Sequence, residues 1–567
     1  MLVHETSRGL DPARLQAGRD LVFDIPPEHG LSLPDGVLAD DHLDQPTRWE
    51  IHRGGVDAIA RCRAALDAPL TIDGLCLPWL WELPIERAMV TMLSHAEGLR
   101  RAVERYEPDA LELAGAGDRT RRIVTAVAAW AQIGVTERAP LAAASRSRSL
   151  PSLTIARRRA VSVARELGVP SRLRPGSVLF VSYWPLMALL DRMLDDPLQR
   201  PAVMTRNLPT GPSRSLRAAR RGGWVGTAGP AGRRRAERMA SAAIGAAARA
   251  APPQLEVFGL KLGAAAHGDV LEIARGRAAT DIATAATLRR AFRRAPPAAV
   301  LSAWDVEPGA RLITTLAREA GVRTLGLAHG AFLLPQTLPD LDLCDEALIW
   351  SQAVGPPISN HDRPIHAIGY PEPRPPAPAT RPAPKGRSPR VLVLAQPALP
   401  DVGLTSPRIA MRQYEVAVGA LLEHCPAVQI VLRPHPSGGR HAEDALTALY
   451  PRASFQIDSA SSILDVLAGC DLCIATITTA TLQAALVGTP VIALNLMGFD
   501  WRPPLGGGET AVPVAHDAAE LQTWLGRWSA GEPLPGREDL LAALGARPEG
   551  DDPTERMLAI VSGARAR

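Results

Sequence analysis

Beyond residue 389 the chain alternates short apolar runs with amphipathic stretches. RVLVLA (390–395), VQIVLR (428–433), SFQID (454–458), LCIAT (472–476) and VIALN (491–495) read as strands. Helical spacing fills 408–422, 442–449, 463–468 and 479–487. Near-continuous Val, Ile and Leu is what strands covered on both faces require, and the alternation is that of βα units on a parallel sheet. The earlier part has the same character in looser form, with predicted strands at 110–114, 178–182, 299–303, 324–328, 347–350 and 365–369. Residues 1–100 are harder to place, 145–175 and 209–250 read as insertions, and no solenoid-length repeat is found.

Between these halves, 371–389 reads PEPRPPAPATRPAPKGRSP. Proline at that density removes backbone donors and favours extended geometry, so a boundary falls here. The expected architecture is α/β: two Rossmann-like doubly wound domains facing across a cleft, with an N-terminal extension and insertions. Their bounds are 1–370 for the acceptor-side domain, 371–389 for the linker and 390–567 for the nucleotide-donor domain.

Composition narrows the classes. Of 567 residues, 46% are hydrophobic and 22% charged, which excludes disorder, collagen and coiled coil. No run of about 18 uncharged apolar residues is present, and the first residues lack a basic-then-apolar pattern, so neither a membrane span nor a secretory signal is expected. Six cysteines are too sparse for a disulfide scaffold and point to a reduced, cytoplasmic setting. Lys and Arg total 63 against 59 Asp and Glu, and aromatics make up 4%, which argues against stacking of nucleic acid. The densest basic stretch, 213–239, reads as a solvated loop and helix face, or as a surface for anionic lipid heads or a polyanionic acceptor.

Candidate chemistry lies at carboxyl strand ends, where open α/β sheets bind ligands. Strand 428–433 runs into Arg433-Pro434-His435-Pro436, where two prolines stiffen the turn that presents His435. Arginine and histidine together supply cationic donors to a phosphate. Strand 472–476 runs into a threonine-rich helix start at Thr478 and Thr479, whose free N–H groups and hydroxyls suit an anion. Strand 324–328 ends in His329-Gly330. His329 can accept a proton near neutrality, and Gly330 lets a backbone or ligand come close. Asp305 and Glu307 are alternative bases, although a helix-start acid accounts for both. Cys470-x-x-Cys473 reads as core packing, Asp340 and Asp342 as solvated loop acids, and Trp501 with 506–509 as a flexible loop that either closes over a base or ribose or is a plain surface loop.

The order HG, a G-Y-P strand end before the linker, RPHP, then a threonine turn followed by AALVGTPVI resembles GT-B-fold bacterial surface-polysaccharide transferases. These include capsule polysaccharide biosynthesis proteins, polysialyltransferases, β-Kdo transferases and CDP-glycerol glycerophosphotransferases. The resemblance spans roughly 298–495. It implies an inverting, metal-independent transfer of a sugar or alditol-phosphate from a nucleotide-activated donor, CMP- or CDP-linked, with no other cofactor. The acceptor would be a hydroxyl on a saccharide or lipid-linked acceptor, which invites peripheral contact with the inner membrane face. Arg433, His435 and Pro436, with Thr478 and Thr479, would hold the donor phosphate, and His329 would act as base. The acidic-acidic-glycine triplet of the sialyl branch has no counterpart in this chain. A nucleotide-sugar 2-epimerase and a non-catalytic nucleotide-binding member of a polysaccharide assembly complex are the rival readings.

Overall fold

The apolar runs beyond the linker pair as one parallel sheet, in the order Ser454–Ile457, Gln429–Leu432, Arg390–Leu394, Leu472–Ala475, Val491–Leu494, Val514–Ala515. Numbered along the chain this is 3-2-1-4-5-6, the Rossmann order. Leu472–Ala475 and Val491–Leu494 are buried throughout, as their unbroken apolar sequence requires. The first five strands and the four helices between them lie within two residues of the predicted bounds. This computed structural model describes residues 1–6, 14–24, 34–114, 116–138, 170–181, 186–204, 212–303, 305–328, 330, 341–356, 358, 362–371, 377, 380–394, 407–434, 441–476, 478–498, 501–502, 504–505, 512–546 and 552–563.

A second, eight-stranded sheet precedes the linker. Counted from Val178–Phe180 through Pro201–Met204, Gly223–Val225, Ala299–Ala303, Arg323–Leu327, Glu346–Ile349 and Ile365–Ala367, its order is again 3-2-1-4-5-6-7. Arg172–Leu173 joins antiparallel on the outer edge. The stretch 209–250, expected as an insertion, is part of this fold. It supplies the helix Pro212–Arg221, the strand Gly223–Val225 and the helix Pro230–Arg249, which runs along Gly263–Arg294. Only glycine fits at the edge pairing: Gly223 has φ +91°, and a Cβ there would meet the Arg172 carbonyl oxygen at 1.8 Å.

Residues 1–138 add a third sheet, parallel, of Asp20–Asp24, Leu2–Thr6, Ala110–Ala114 and Gly134–Arg138. The helices Gln45–Leu66, Glu82–Tyr106 and Gly263–Arg294 lie between it and the eight-stranded sheet, so one apolar cluster runs from Val3 and Leu21 through Met89 and Leu288 to Leu179 and Val300. Polar ties cross the same layer. Trp81 Nε1 donates to Asp281 at 2.8 Å, and Arg311 Nη1 meets Glu82 Oε2 at 2.5 Å.

The linker is laced to the sheet that follows it. Ala377 N–H donates to the Leu486 carbonyl at 2.7 Å and Arg381 N–H to that of Gly488 at 2.9 Å. The Arg381 guanidinium caps the Val487 carbonyl at 2.7 Å. The C-terminal helix Pro553–Gly563 returns to the eight-stranded sheet, where Met557 and Val561 join the core of Phe180 and Leu301. The chain therefore passes between the lobes twice, at Gly369 and just beyond Gly545. Both have positive φ, and a Cβ on Gly545 would lie 2.6 Å from the Trp350 carbonyl oxygen.

Candidate functional site

In a 3-2-1-4-5-6 sheet, loops diverge to opposite faces between strands 1 and 4 and leave a crevice there. In the six-stranded sheet this point lies between Arg390–Leu394 and Leu472–Ala475. Thr476 follows the latter. Its N–H donates to the Leu394 carbonyl at 3.0 Å, and its own carbonyl accepts from Thr481 Oγ1 at 3.1 Å. The Thr476 hydroxyl, by contrast, is buried with no hydrogen-bond partner among the described residues, although buried hydroxyls are normally satisfied. Thr478 is the N-cap of the helix Thr479–Leu486, but its Oγ1 lies 3.5 Å from the Ala480 N–H it accepts from, at the outer limit of a hydrogen bond. The first turn thus turns the positive end of its dipole towards this corner, the polarity that favours an anion.

Arg433 follows Gln429–Leu432, two strands away. Its Nη1 is 3.8 Å from Asp458 Oδ1, an ion pair too long for a hydrogen bond, and among the described residues this buried nitrogen has no hydrogen-bond partner. Asp458 accepts from Ser461 N–H at 3.0 Å, Ser461 Oγ at 2.8 Å and Ala460 N–H at 3.1 Å. Those bonds, Ser461 N–H first, hold its carboxyl below the usual range, with the Arg433 charge assisting. Arg433 therefore has a charge neighbour and a spare donor.

The eight-stranded sheet faces this corner. Gly330 lies just beyond Arg323–Leu327, and a Cβ built on it would stand 3.5 Å from Thr479 Oγ1. Two predicted site residues, 149 positions apart in the sequence, are neighbours across the lobes. His329, His435 and Pro436 lie outside the described residues.

Asp305 and Glu307 hold backbone. Asp305 is 1% exposed and accepts from the N–H groups of Leu341 at 2.6 Å and Leu343 at 2.9 Å. It thereby holds the backbone at Leu341, which has φ +64°. Glu307 caps the helix Pro308–Glu319 by accepting from Ala310 N–H at 3.0 Å. Both carboxylates thus have structural roles, Asp305 through two backbone N–H groups and Glu307 as a helix cap. Asp342, expected as a solvated acid, pairs with the buried Arg363 at 3.1 Å, and Asp340 lies outside the described residues. Trp501, expected on a surface loop, is 3% exposed in the core of the six-stranded sheet. Cys470 and Cys473 are core residues as expected, and burial pushes the Cys470 thiol up to about 11.

Two contributors escaped the sequence reading. Thr476 looks like the end of an apolar run and becomes notable only because nothing pairs with its hydroxyl. Gln45, at the start of the helix Gln45–Leu66, sets its amide 3.2 Å from the Cβ position of Gly498, in the turn after Val491–Leu494. Trp49 packs on the same lobe. The N-terminal extension thus reaches the carboxyl ends of the six-stranded sheet, and no motif in residues 1–100 announces it.

Among the described residues, no helix is long and apolar enough to cross a membrane. No known family profile matches the chain, and no curated protein matches it in sequence. Solved structures do resemble it. A chain of the GtfA/B complex shares 9% identity at TM-score 0.32 over 50% of this chain and 61% of its own, so this chain spans less than two thirds of that neighbour's length. MurG of Acinetobacter baumannii shares 12% at TM-score 0.36, covering 69% and 99%. A UDP-GlcNAc 2-epimerase from Neisseria meningitidis, bound to UDP-GlcNAc, shares 8% at TM-score 0.36, covering 68% and 99%. Likeness this distant carries no argument about activity. The GT-B-like assignment rests on the two Rossmann strand orders and on the approach of their carboxyl ends at Gly330 and Thr479.

Proposed function

We propose that the protein is a glycosyltransferase-type enzyme that moves a sugar or alditol-phosphate from a nucleotide-activated donor to a hydroxyl acceptor. The observation that carries this reading is the pair of orphaned buried donors, Arg433 Nη1 and Thr476 Oγ1, at the strand ends flanking a helix start that faces the other lobe. An orphaned buried polar group costs stability, and a phosphate oxygen would satisfy both. The sequence resemblance supplies the rest of the proposal: a CMP- or CDP-linked donor, inversion, no metal requirement and a role in surface polysaccharide assembly on a saccharide or lipid-linked acceptor.

In the proposed step, the acceptor oxygen bonds to the donor carbon or phosphorus while the bond to the nucleotide oxygen breaks. His329 takes the hydroxyl proton, and the electron pair leaves with the nucleotide. Arg433, His435 and the Thr478–Thr479 helix start stabilise that charge. With Asp305 and Glu307 engaged by backbone, His329 is the base this reading retains.

A melting-temperature screen against CMP, CDP, UDP and GDP tests the nucleotide part, since a ligand of the native state alone raises the transition by mass action. Turnover by His435→Ala should fall by roughly 10²–10³ with the fold intact. Full activity in that variant removes His435 from the reaction. Conversion of UDP-GlcNAc without an acceptor would indicate the epimerase, and nucleotide binding without turnover of any donor would indicate the non-catalytic member.

A further inference from the structure

A separate cavity of about 610 Å³ opens at the far edge of the eight-stranded sheet, between the edge strand Arg172–Leu173 and the C-terminal turns of the helix Gly263–Arg294. Its size is within the roughly 300–1,000 Å³ of small-molecule sites. Three guanidiniums line it, those of Arg172, Arg290 and Arg294, and among the described residues no carboxylate does. Thr227 and Gly229 form the remaining wall, where the Gly226 N–H is already held by Ser171 Oγ at 2.9 Å. An adjoining cavity of about 270 Å³ shares Arg290 and adds Arg235 and Arg293.

The pairing pattern sets these arginines apart. Elsewhere on the same lobe, Arg214 meets Asp191 at 2.6 Å, Arg217 meets Asp195 at 2.9 Å and Arg289 meets Glu319 at 3.2 Å. Among the described residues the side chains of Arg172, Arg290 and Arg294 have no ion pair, hydrogen bond or ring contact. Arg290 and Arg294 stand one helical turn apart, about 5–6 Å between side-chain bases, and like charges at that spacing repel. Arg172 faces them from the other wall. These three exposed charges give the cavity a positive potential that an anion would complement.

We propose that this cavity binds an oligophosphate, a ligand with two or more phosphate groups, gripped by the Arg290–Arg294 pair on one side and Arg172 on the other. Planar guanidiniums bind phosphate oxygens in bidentate fashion, and three of them around one cavity match a ligand carrying more than one phosphate. The cavity is distinct from the proposed donor site. Five strand spacings separate Arg172–Leu173 from Arg323–Leu327, about 24 Å across the sheet. The inference stands whether or not the donor reading does. The phosphates could belong to a free polyphosphate or to a phosphorylated lipid headgroup.

Titration calorimetry of the full chain with sodium tripolyphosphate, at fixed ionic strength, tests the site. One saturable site is expected. The variant R172A/R290A/R294A should bind at least tenfold more weakly while keeping its melting temperature, because it removes exposed groups that repel one another. R290K/R294K should bind with intermediate strength, since it keeps charge without the fork. Flotation with phosphatidylcholine vesicles containing phosphatidylinositol 4,5-bisphosphate separates the sources: vesicle binding lost in the triple variant, without tripolyphosphate binding, assigns the phosphates to lipid. The proposal is overturned if neither probe binds, if the triple variant binds both undiminished, or if trigalacturonate competes with tripolyphosphate on equal terms.

Discussion

The Tyr370 hydroxyl accepts a hydrogen bond from Gln483 Nε2 at 2.5 Å. Tyr370 closes the last strand region of the N-terminal lobe before the linker, and its ring packs edge-on to Trp350 with centroids 5.0 Å apart. Gln483 sits on the helix that begins at Thr479. One buried bond therefore couples the crossing between lobes to the helix whose N-terminus faces Gly330. Tyr370→Phe keeps the ring and strands the Gln483 amide, which should lower stability by about 1–3 kcal/mol in urea unfolding. An unchanged midpoint would show that the amide finds another partner and that the coupling is weak.

Thr476→Val separates a ligand-binding hydroxyl from a structural one. Its Oγ1 is buried and unpaired, so the near-isosteric valine should leave stability unchanged or raise it by up to about 1 kcal/mol. If the proposed donor site is right, the same variant should bind a nucleotide of the screen roughly tenfold more weakly, as Arg433→Ala should by a larger factor. Valine that leaves nucleotide affinity intact takes Thr476 out of the site, whatever it does to the melting curve.

Asp305 presents the opposite pattern. Its oxygens hold Leu341 and Leu343 N–H, and Leu341 keeps a left-handed conformation that a bulky side chain rarely adopts. Asp305→Ala strands both donors and should cost about 2–4 kcal/mol of stability. Any loss of turnover should accompany that loosening. A catalytic base would behave otherwise, losing turnover in Asp305→Asn with an unaltered unfolding midpoint.

The parts of this structure that were legible in the sequence are those where one physical signal dominates. Doubly covered strands such as Val491–Leu494 need unbroken apolar runs, so their position and parallel pairing could be read directly. The same holds for the Thr478 cap and the glycine after Arg323–Leu327, since both follow from where strands end. Gly223–Val225 was hidden because a three-residue strand among arginines and glycines has too few positions to show a period. The contact of Gln45 with Gly498 spans over 450 residues and depends on how a helix of the N-terminal extension meets the other lobe. No local pattern encodes that. Asp305 and Glu307 were legible as acids at a strand end, but their roles depended on which N–H groups the fold brought to them.

Two buried groups make opposing pH contributions to stability. Burial raises the Asp269 carboxyl to about 6, against the pull of Arg119 at 3.2 Å, and burial lowers the His52 imidazole to about 4. Between about pH 4 and 6 the native state holds a proton on Asp269 that the unfolded chain has released, so this contribution falls as pH rises through 6. Over about pH 4 to 6.5 the unfolded chain holds a proton on His52 that the native state lacks, so the second contribution rises with pH and is lost as pH falls through 4. Each is worth about 3 kcal/mol at full extent, and they nearly cancel. Asp269→Asn should therefore unmask stability that climbs from pH 4 to 6.5, and His52→Phe stability that declines from pH 4 to 6, both read from urea midpoints. Parallel profiles in the two variants would mean that these side chains do not titrate as their burial dictates.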